Sequence, residues 1–222
     1  MATRLYFSLT NNCNLACPFC CMHSAPGKKT YFPPSRVEAI FNRVKRPFEL
    51  QMEGGEPFLS PNWYNCILKA YATGLCQKVI ICTNGILLKE HLDYVKDFMG
   101  CFPIIIKISI NYHIYQNFPG CITQAEELVA HFKDQPEIKF ILNVRIGKHP
   151  LDDLILEKIR KAGLFGRSNI FPFQRYGRAK NDETLKYPHI AQNIEDWYLF
   201  ASDGKNFGHD LIARSEYEET LP

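Results

Sequence analysis

The chain has 222 residues, enough for one large domain or two small ones, and it is 46% hydrophobic and 22% charged, as in globular proteins with a substantial core. Its net charge of +3 is too small to indicate nucleic-acid binding by itself. No apolar run of about 18 or more residues is present, and the first residues lack the apolar core and cleavage site of a secretory signal. We therefore expect no transmembrane helix, no membrane or nucleic-acid partner and a cytoplasmic location.

Short runs rich in β-branched and aromatic residues predict six β-strands, at residues 5–10, 48–57, 78–85, 104–111, 139–147 and 169–177. Segments with helical apolar periodicity lie between them, at residues 33–45, 62–74, 89–100, 121–132 and 151–163. Two of these segments contain a capping-box pattern, Ser35 with Glu38 and Thr123 with Glu126. The alternation predicts an α/β fold with parallel β-α units, either an open barrel or a doubly wound sheet.

The alternation stops after residue 180. Residues 180–192 are polar and predict a connector. Residues 197–218 predict a hairpin, in which a first strand is followed by a turn at Asp203-Gly204 and a returning strand through Leu211 and Ile212. We therefore predict a core at residues 1–180 and a C-terminal extension at 181–222 that caps the core. The polar groups of this extension, His209, Asp210 and Arg214, are expected to be solvated.

Polar side chains alternate with apolar ones along several predicted strands, and alternate side chains share one face of a strand. They are Gln51 and Glu53 on the second strand, Lys107, Ser109 and Asn111 on the fourth, Asn143 and Arg145 on the fifth, and either Gln174 or Arg175 on the sixth. Such groups are costly to bury without partners, so they either pair with one another, lie at exposed strand ends, or line a lumen that holds a polar ligand. On the last interpretation, the candidate substrate contacts are Gln51, Glu53, Lys107, Gln174 and Arg175.

The chain contains nine cysteines, and four of them lie within nine residues. Cys13, Cys17 and Cys20 have the spacing C-x3-C-x2-C, and Cys21 follows directly. Disulfides are disfavoured in a reducing compartment, so this cluster is typical of metal binding or catalysis. Zinc would need a fourth ligand, such as Cys21 or His23, and neighbouring cysteines point apart. A [4Fe–4S] cluster held by three thiolates would keep one iron open for another ligand.

With Phe19 directly before its third cysteine, this spacing resembles the radical S-adenosylmethionine (radical SAM) superfamily. Further motifs occur in the order that the family shows: Gly54-Gly55-Glu56-Pro57 after the second strand, Thr83-Asn84-Gly85 after the third, Ser109-Ile110-Asn111 on the fourth, where members commonly have Ser-x-Asp, and Gly177-Arg178-Ala179 after the sixth. Taken singly, the glycine motifs are also ordinary turn signals. The resemblance covers residues 5–180.

The resemblance implies a partial (β/α)6 TIM-like barrel with a short C-terminal extension. It also implies one [4Fe–4S] cluster on Cys13, Cys17 and Cys20, with S-adenosylmethionine (SAM) chelating the open iron. An electron from a flavodoxin- or ferredoxin-type donor would cleave SAM, and the resulting 5′-deoxyadenosyl radical would abstract a hydrogen atom from the substrate. An oxidoreductase, an isomerase and a transferase are all compatible with this chemistry.

The resemblance also assigns roles to the remaining candidates. The Gly54-Gly55 main chain would approach the methionine part of SAM because no side chain blocks it. Glu56 would brace that turn or contact SAM directly. Further SAM contacts are expected from Phe19, Thr83, Asn84, Ser109, Asn111, Asn143 and Arg145. Cys21 and Cys82 are each either a packing thiol or a hydrogen-atom donor to a substrate radical.

The C-terminal tail bears on the substrate and on the number of clusters. Peptide-modifying members often carry a cysteine-rich, SPASM-like C-terminal region, which this tail resembles in outline although no cysteine follows Cys121. We therefore predict a single cluster and favour modification of a peptide (a ribosomally synthesised peptide product) or a protein. The alternative is a small-molecule substrate such as a sugar, an amino acid or a nucleoside, and a more remote one is a non-catalytic zinc-binding module.

Overall fold

The computed structural model describes residues 3–187 and 197–222. In these ranges the strands are β1 (Thr3–Ser8), β2 (Phe48–Glu53), β3 (Cys76–Thr83), β4 (Ile104–Ile110), β5 (Ile138–Ile146), β6 (Ser168–Pro172) and β7 (Trp197–Phe200). The helices are α1 (Pro34–Phe41), α2 (Trp63–Ala72), α3 (Leu88–Lys96), α4 (Tyr112–Asn117), α5 (Cys121–His131), α6 (Leu151–Lys161) and α7 (Leu211–Thr220). All six predicted strands and all five predicted helices are present. None of the helices described is both long enough and apolar enough to cross a membrane.

The chain forms two compact units, and the first comprises Met1–Ile81 and Gln174–Pro222. Its strands are parallel and lie in the order β3-β2-β1-β7. Phe7 on β1 is fully buried and stacks on Phe32 and Phe41, with ring centroids 4.6 and 5.6 Å apart. The ring of Phe200 on β7 meets Phe7 edge-on at 5.2 Å. These aromatic side chains therefore pack β1, near the start of the chain, against β7, near its end.

The segment after β7 differs from the predicted hairpin. Residues 205–208 turn back onto the strand, since the main-chain N–H of Phe207 donates to the Leu199 carbonyl at 2.8 Å. Leu211 and Ile212, however, begin helix α7, because the Asp210 side chain accepts a hydrogen bond from the Ala213 N–H and caps the helix. The prediction of a returning strand at these two residues is wrong.

Three further predictions concern the exposure of two tail residues, the polar connector and the boundary at residue 180. His209 and Asp210 are exposed, as expected. The last part of the predicted connector, residues 188–192, lies outside the described residues. The division of the chain at residue 180 stays a prediction.

The two predicted capping boxes are not formed. Helix α1 begins at Pro34, so that Ser35 lies inside the first turn, and α5 begins at Cys121, so that Thr123 also lies inside its helix. Neither helix has a side-chain cap. Proline at the first helical position has the required φ angle already, which explains why α1 begins there rather than at the serine.

The second unit comprises Cys82–Phe173, and its strands are parallel in the order β4-β5-β6. Along β4, Ile106, Ile108 and Ile110 are buried while Lys107 and Ser109 on the other face are only partly buried. Strand β5 alternates in the same way, and helix α5 packs on both strands. The predicted alternation is therefore confirmed here, and each strand has one apolar face that the helix covers.

We predict that Phe7→Ala lowers the free energy of unfolding by about 3 to 5 kcal/mol, because the cavity would lie among the three rings that stack on Phe7 or meet it edge-on. Urea unfolding followed by circular dichroism measures the change. Phe165→Ala is the matched control, since Phe165 is 44% exposed, and it should change stability by less than about 1 kcal/mol. Equal losses in the two variants would contradict the assignment of Phe7 to the core.

Candidate cofactor site

The three spaced cysteines lie in the segment between β1 and α1, residues 9–33, which we call the cysteine loop. Its two ends are held together, because the Phe32 N–H donates to the Leu9 carbonyl at 2.9 Å and the Asn11 N–H donates to the Thr30 carbonyl at 3.2 Å. Farther along, the Cys13 N–H donates to the Ala25 carbonyl at 3.2 Å. The main chain thus closes the base of the loop, and residues 14–24 form its tip.

The Gly-Gly-Glu motif after β2, residues 54–56, which we call the glycine turn, is bonded directly to this loop. The Gly55 N–H donates to the Thr10 carbonyl at 2.6 Å, and the Glu56 N–H donates to the Asn12 carbonyl at 2.9 Å. A Cβ atom on Gly55 would lie 1.9 Å from the Asn12 carbonyl oxygen, and one on Gly54 would lie 2.5 Å from the Thr10 oxygen. Glycine is therefore required at both positions by the close approach of two main chains. The predicted contact of this turn with SAM stays a prediction.

Glu56 braces the glycine turn, as the first of its two predicted roles requires. The residue is fully buried, and its carboxylate accepts a hydrogen bond from the Phe58 N–H at the start of the one-turn helix Pro57–Leu59. The carboxylate thus caps the helix that follows the turn, which fixes the direction in which the chain leaves it.

The Gly-Arg-Ala motif holds the tip of the cysteine loop. Gly177 has a φ of 61°, and a Cβ atom there would lie 2.5 Å from the Cys20 carbonyl oxygen. The Arg178 guanidinium donates to the carbonyls of Cys17 at 3.0 Å and His23 at 2.9 Å, and its main-chain N–H donates to Cys20 at 3.1 Å. One arginine thus fixes three main-chain carbonyls of the loop that carries the cysteines.

Helix α7 also fastens the loop. The Ser215 hydroxyl donates to the Cys21 carbonyl, and the Asn11 side chain donates to the main-chain oxygen of Pro222 at 2.9 Å. Arg214 is 2% exposed and forms an ion pair with Glu53 at 2.8 Å. The expectation that Arg214 is solvated is wrong, because α7 packs inward and the Glu53 carboxylate compensates for the loss of hydration.

The thiols of the three spaced cysteines influence one another. Burial raises the pKa of the Cys17 thiol, and the neighbouring Cys20 and Cys13 raise it further. Three thiolates at this spacing therefore repel one another, and a positively charged iron–sulfur core would remove that repulsion.

The chemistry of the donors bears on the kind of metal centre. Cys13, Cys17 and Cys20 offer three thiols within one loop. Thiolates are the usual ligands of iron–sulfur clusters, and a cubane cluster binds each thiolate through a different iron atom. The three cysteines therefore fit a [4Fe–4S] cluster.

Cys21 directly follows Cys20 and is not one of the three spaced cysteines. Burial raises the pKa of its thiol to about 11, the neighbouring Cys20 raises it as well, and the Arg214 guanidinium opposes both effects. At neutral pH the group is therefore an S–H rather than a thiolate. Cys82, the second candidate donor, is partly buried near the end of β3.

Two of the candidate substrate contacts in the first unit are paired with each other. The Gln51 amide donates to the Glu53 carboxylate at 2.8 Å, and the other oxygen of that carboxylate binds Arg214. For these two residues the structure therefore shows the first of the three interpretations given above, in which polar strand side chains form hydrogen bonds with one another. Of the other candidates in this unit, Gln174 forms a β-bridge with Lys186, and the Arg175 guanidinium donates to the Lys180 carbonyl at 3.1 Å.

The second unit contains a row of polar side chains across its strands. Ser109 on β4 is the register partner of Asn143 on β5, which is the register partner of Asn169 on β6. The Asn169 amide donates to the Asn143 side-chain oxygen at 3.2 Å. Arg145 donates to the Pro172 carbonyl at 3.1 Å, and Lys107 is partly buried on the same strand as Ser109. The structure thus places Ser109 and Asn143 side by side on adjacent strands.

The remaining candidates stabilise local turns. The Thr83 hydroxyl accepts from the Gly85 N–H at 2.9 Å, and the Asn84 side-chain oxygen accepts from the Ile86 N–H at 3.0 Å. The Asn111 side-chain oxygen caps α4 by accepting from the Ile114 N–H at 2.9 Å. Phe19 is partly buried within the cysteine loop. The predicted SAM contacts of these residues stay predictions.

The sequence did not indicate the structural roles of two arginines of this site. Arg178 belongs to a motif that was noted, but nothing in the motif indicates which carbonyls its guanidinium binds. Arg214 had no signal at all, because a lone arginine in a polar tail is ordinarily exposed.

A sequence profile described as the radical SAM superfamily matches residues 7–173. YydG of Bacillus subtilis (strain 168), which is named as a peptide biosynthesis protein, is 22% identical over 194 residues, covering 85% of this chain and 60% of YydG. A GTP 3′,8-cyclase of Aquifex aeolicus (strain VF5) is 35% identical over 102 residues, covering 42% of this chain and 31% of the cyclase. The chain thus spans less than two thirds of the length of either relative.

Streptococcus suis SuiB, solved with its precursor peptide SuiA bound, superimposes with a TM-score of 0.58 at 18% identity, covering 80% of this chain and 41% of SuiB. At this identity the likeness shows the fold alone. It confirms the predicted α/β class, a partial TIM-like barrel.

We predict that Gly55→Ala prevents stable loading of the cluster, because the new Cβ atom would displace the Asn12 carbonyl at the base of the cysteine loop. The same crowding should lower the free energy of unfolding by about 1 to 3 kcal/mol or more. Iron and sulfide per chain after anaerobic reconstitution measure the loading.

Gly166→Ala is the matched control for this variant, since a Cβ atom there would meet nothing within 4 Å. It should load as much iron as the unmodified protein. If Gly55→Ala retained the same iron and sulfide as Gly166→Ala, the structural requirement for glycine at the turn would be refuted.

Proposed function

The chain belongs to the radical SAM superfamily, and from this premise we propose that it is an enzyme that generates a radical on a peptide by reductive cleavage of SAM. The cofactors are SAM and one [4Fe–4S] cluster. When bound, the cluster supplies an electron to the SAM sulfonium, which releases a 5′-deoxyadenosyl radical able to abstract a hydrogen atom from the substrate.

The observation that carries this proposal is the joining of the glycine turn to the cysteine loop. The turn donates two main-chain hydrogen bonds, from Gly55 and Glu56, to the residues directly before Cys13. The two most specific motifs of the sequence, far apart in the chain, thus form one structural element. A zinc-binding module has no need of this second motif, and family membership sets that alternative aside.

In this proposal the residues of the chain hold and position the cofactors. Cys13, Cys17 and Cys20 bind the cluster through their thiolates. Arg178 would hold the cysteine loop in the conformation that binds the cluster, because it is hydrogen-bonded to three main-chain carbonyls of the loop. The proposal places one cluster on this chain, on these three cysteines.

The assignment of SAM contacts is part of the same proposal. Gly54, Gly55 and Glu56 would lie against the methionine part of SAM, and Phe19 would shield its adenine. The polar row of Ser109 and Asn143, with Asn111 and Arg145, would bind the ribose or the carboxylate. Thr83 and Asn84 would contribute from the end of β3. Arg145 is the one cation among these proposed contacts, and it would favour the carboxylate.

A peptide is the substrate that the relatives favour. YydG is named for peptide biosynthesis and aligns over 85% of this chain. SuiB, whose fold is similar, was solved with a precursor peptide. Gln51, Glu53, Lys107, Gln174 and Arg175 are the proposed substrate contacts. A flavodoxin or ferredoxin in the cytoplasm would supply the electron, and residues 181–222 would act as an extension that fastens the cysteine loop.

We predict that replacing Cys13, Cys17 or Cys20 singly by serine removes the cluster and reduces formation of 5′-deoxyadenosine to background. The assay is anaerobic incubation with dithionite and SAM, followed by chromatographic detection of 5′-deoxyadenosine, and it needs no substrate. Cys101→Ser is the matched control because Cys101 is exposed, and it should retain cluster and cleavage. A serine variant of the triplet that still cleaved SAM at the rate of Cys101→Ser would overturn the ligand assignment.

We further propose that Cys21 returns a hydrogen atom to the substrate radical, since its partly buried thiol directly follows a proposed cluster ligand, Cys20. Cys21→Ala should retain 5′-deoxyadenosine formation but lose product turnover on a peptide substrate, whereas Cys82→Ala should affect neither. In D2O, the unmodified enzyme should place one deuterium in the product. Normal product from Cys21→Ala at a normal rate would exclude this residue as the donor.

A further inference from the structure

One cavity in the first unit lies away from the cysteines. It has a volume of about 660 Å³ and is lined by α1 and the residues after it, the start of β1, the end of β7 and the turn at 203–206. We call it the basic pocket. Among its described lining residues, none belongs to the cysteine loop or the glycine turn. The pocket is therefore a place to bind something other than the cofactors.

Positive charge is concentrated around this pocket. Its lining contains five cationic side chains and a single carboxylate, a formal excess of four positive charges, although the whole chain carries only +3. The cations are Arg36, Arg43, Lys45, Arg46 and Lys205. In the described parts of the chain, none of the five forms an ion pair with a carboxylate. An anionic ligand would be attracted without having to displace an existing partner.

The one carboxylate of the pocket is already engaged. Asp203 accepts a hydrogen bond from the Tyr217 hydroxyl at 2.7 Å. Lys205 lies over the Tyr217 ring, 4.0 Å from its centroid, and is held in place there. A Cβ atom on Gly204 would lie 2.9 Å from Cγ of Arg36, so the arginine stem lies directly against the turn. These contacts fix two of the cations before any ligand arrives, which lowers the entropic cost of binding.

The spacing of the charges indicates the kind of ligand. Arg36 and Arg43 are seven residues apart along α1 and its extension, about 10 Å by the helical rise. Apolar side chains lie between the cations, namely Leu5, Ile40, Val44, Tyr198 and Phe200. A single phosphate group needs its donors focused on one point. Dispersed cations over an apolar floor instead match a peptide in which acidic and apolar side chains recur.

We propose that the basic pocket binds an acidic, partly apolar segment of the peptide substrate, at a distance in sequence from the residue that is modified. This inference rests on the proposed function, because it takes the substrate to be a peptide. Binding at a second place would hold the substrate while its reacting residue enters the active site, and it would add affinity without any contact to SAM.

The test measures binding of a short fluorescein-labelled peptide of alternating Leu and Glu by fluorescence anisotropy. Arg43→Glu/Arg46→Glu should weaken binding about tenfold or more, since two attractive pairs become repulsive. The matched control, Lys133→Glu/Lys161→Glu, makes the same change in net charge at two exposed lysines outside the pocket. It should bind the peptide as the unmodified protein does.

Further probes distinguish the peptide from other anions. A peptide with Gln in place of Glu, or Ser in place of Leu, should bind at least about tenfold more weakly. Equal losses in the pocket and control variants, or equal binding of the Gln peptide, would overturn the proposal. It would also be overturned if inorganic tripolyphosphate or a short oligonucleotide displaced the peptide at equal concentration.

Formation of 5′-deoxyadenosine from SAM and dithionite is measured in the same preparations. Cleavage of SAM by both double variants, with no peptide binding to the unmodified protein, would refute the pocket proposal and leave the proposed function intact. Peptide binding with no cleavage by the unmodified protein would refute the proposed function instead.

Discussion

The main chain of the glycine turn lies so close to the base of the cysteine loop that no side chain fits between them. A Cβ atom on Gly55 would come within 1.9 Å of the Asn12 carbonyl oxygen, and two hydrogen bonds hold the segments together at that distance. Main-chain bonds of this kind cannot be replaced by a change of rotamer, so the position of the loop follows from the position of β2. The main chain that carries the cysteines is therefore held in place by a buried parallel strand.

Arg178 and helix α7 also hold the cysteine loop. Arg178 binds three carbonyls of the loop through its guanidinium and its main chain, and Ser215 binds a fourth. Arg214, buried on α7, forms an ion pair with Glu53, which is the last residue of β2 and directly precedes the glycine turn. Removing either partner of such a pair would leave a buried charge uncompensated, at a cost of about 3 to 5 kcal/mol. Strand β2, the cysteine loop and α7 thus form one mutually dependent structure.

The charges of the first unit are arranged in two different ways. Beside the glycine turn, Glu53 and the buried Arg214 form an ion pair, and Arg178 is bound to carbonyls of the cysteine loop. Around the basic pocket they are exposed and without acidic partners among the described residues. Paired charges stabilise a geometry, whereas unpaired ones attract a ligand and depend on ionic strength. The two kinds of charge thus distinguish the cysteine loop, which would hold the cofactors, from the basic pocket, which would bind a substrate.

The sequence by itself determined the strand and helix order, the α/β class, the cysteine triplet and the family, because apolar periodicity and close motif spacing are local properties of the chain. It also indicated that Ser109 and Asn143 each lie on the polar face of their own strand. It did not determine that α7 is a helix, that Arg214 is buried or that Arg178 binds the loop. Only the tertiary structure decided these points, because each depends on a partner at least 150 residues away in sequence or on a local cap that competes with strand formation. Local patterns predict which elements form, but burial and pairing are decided by the elements that pack against them.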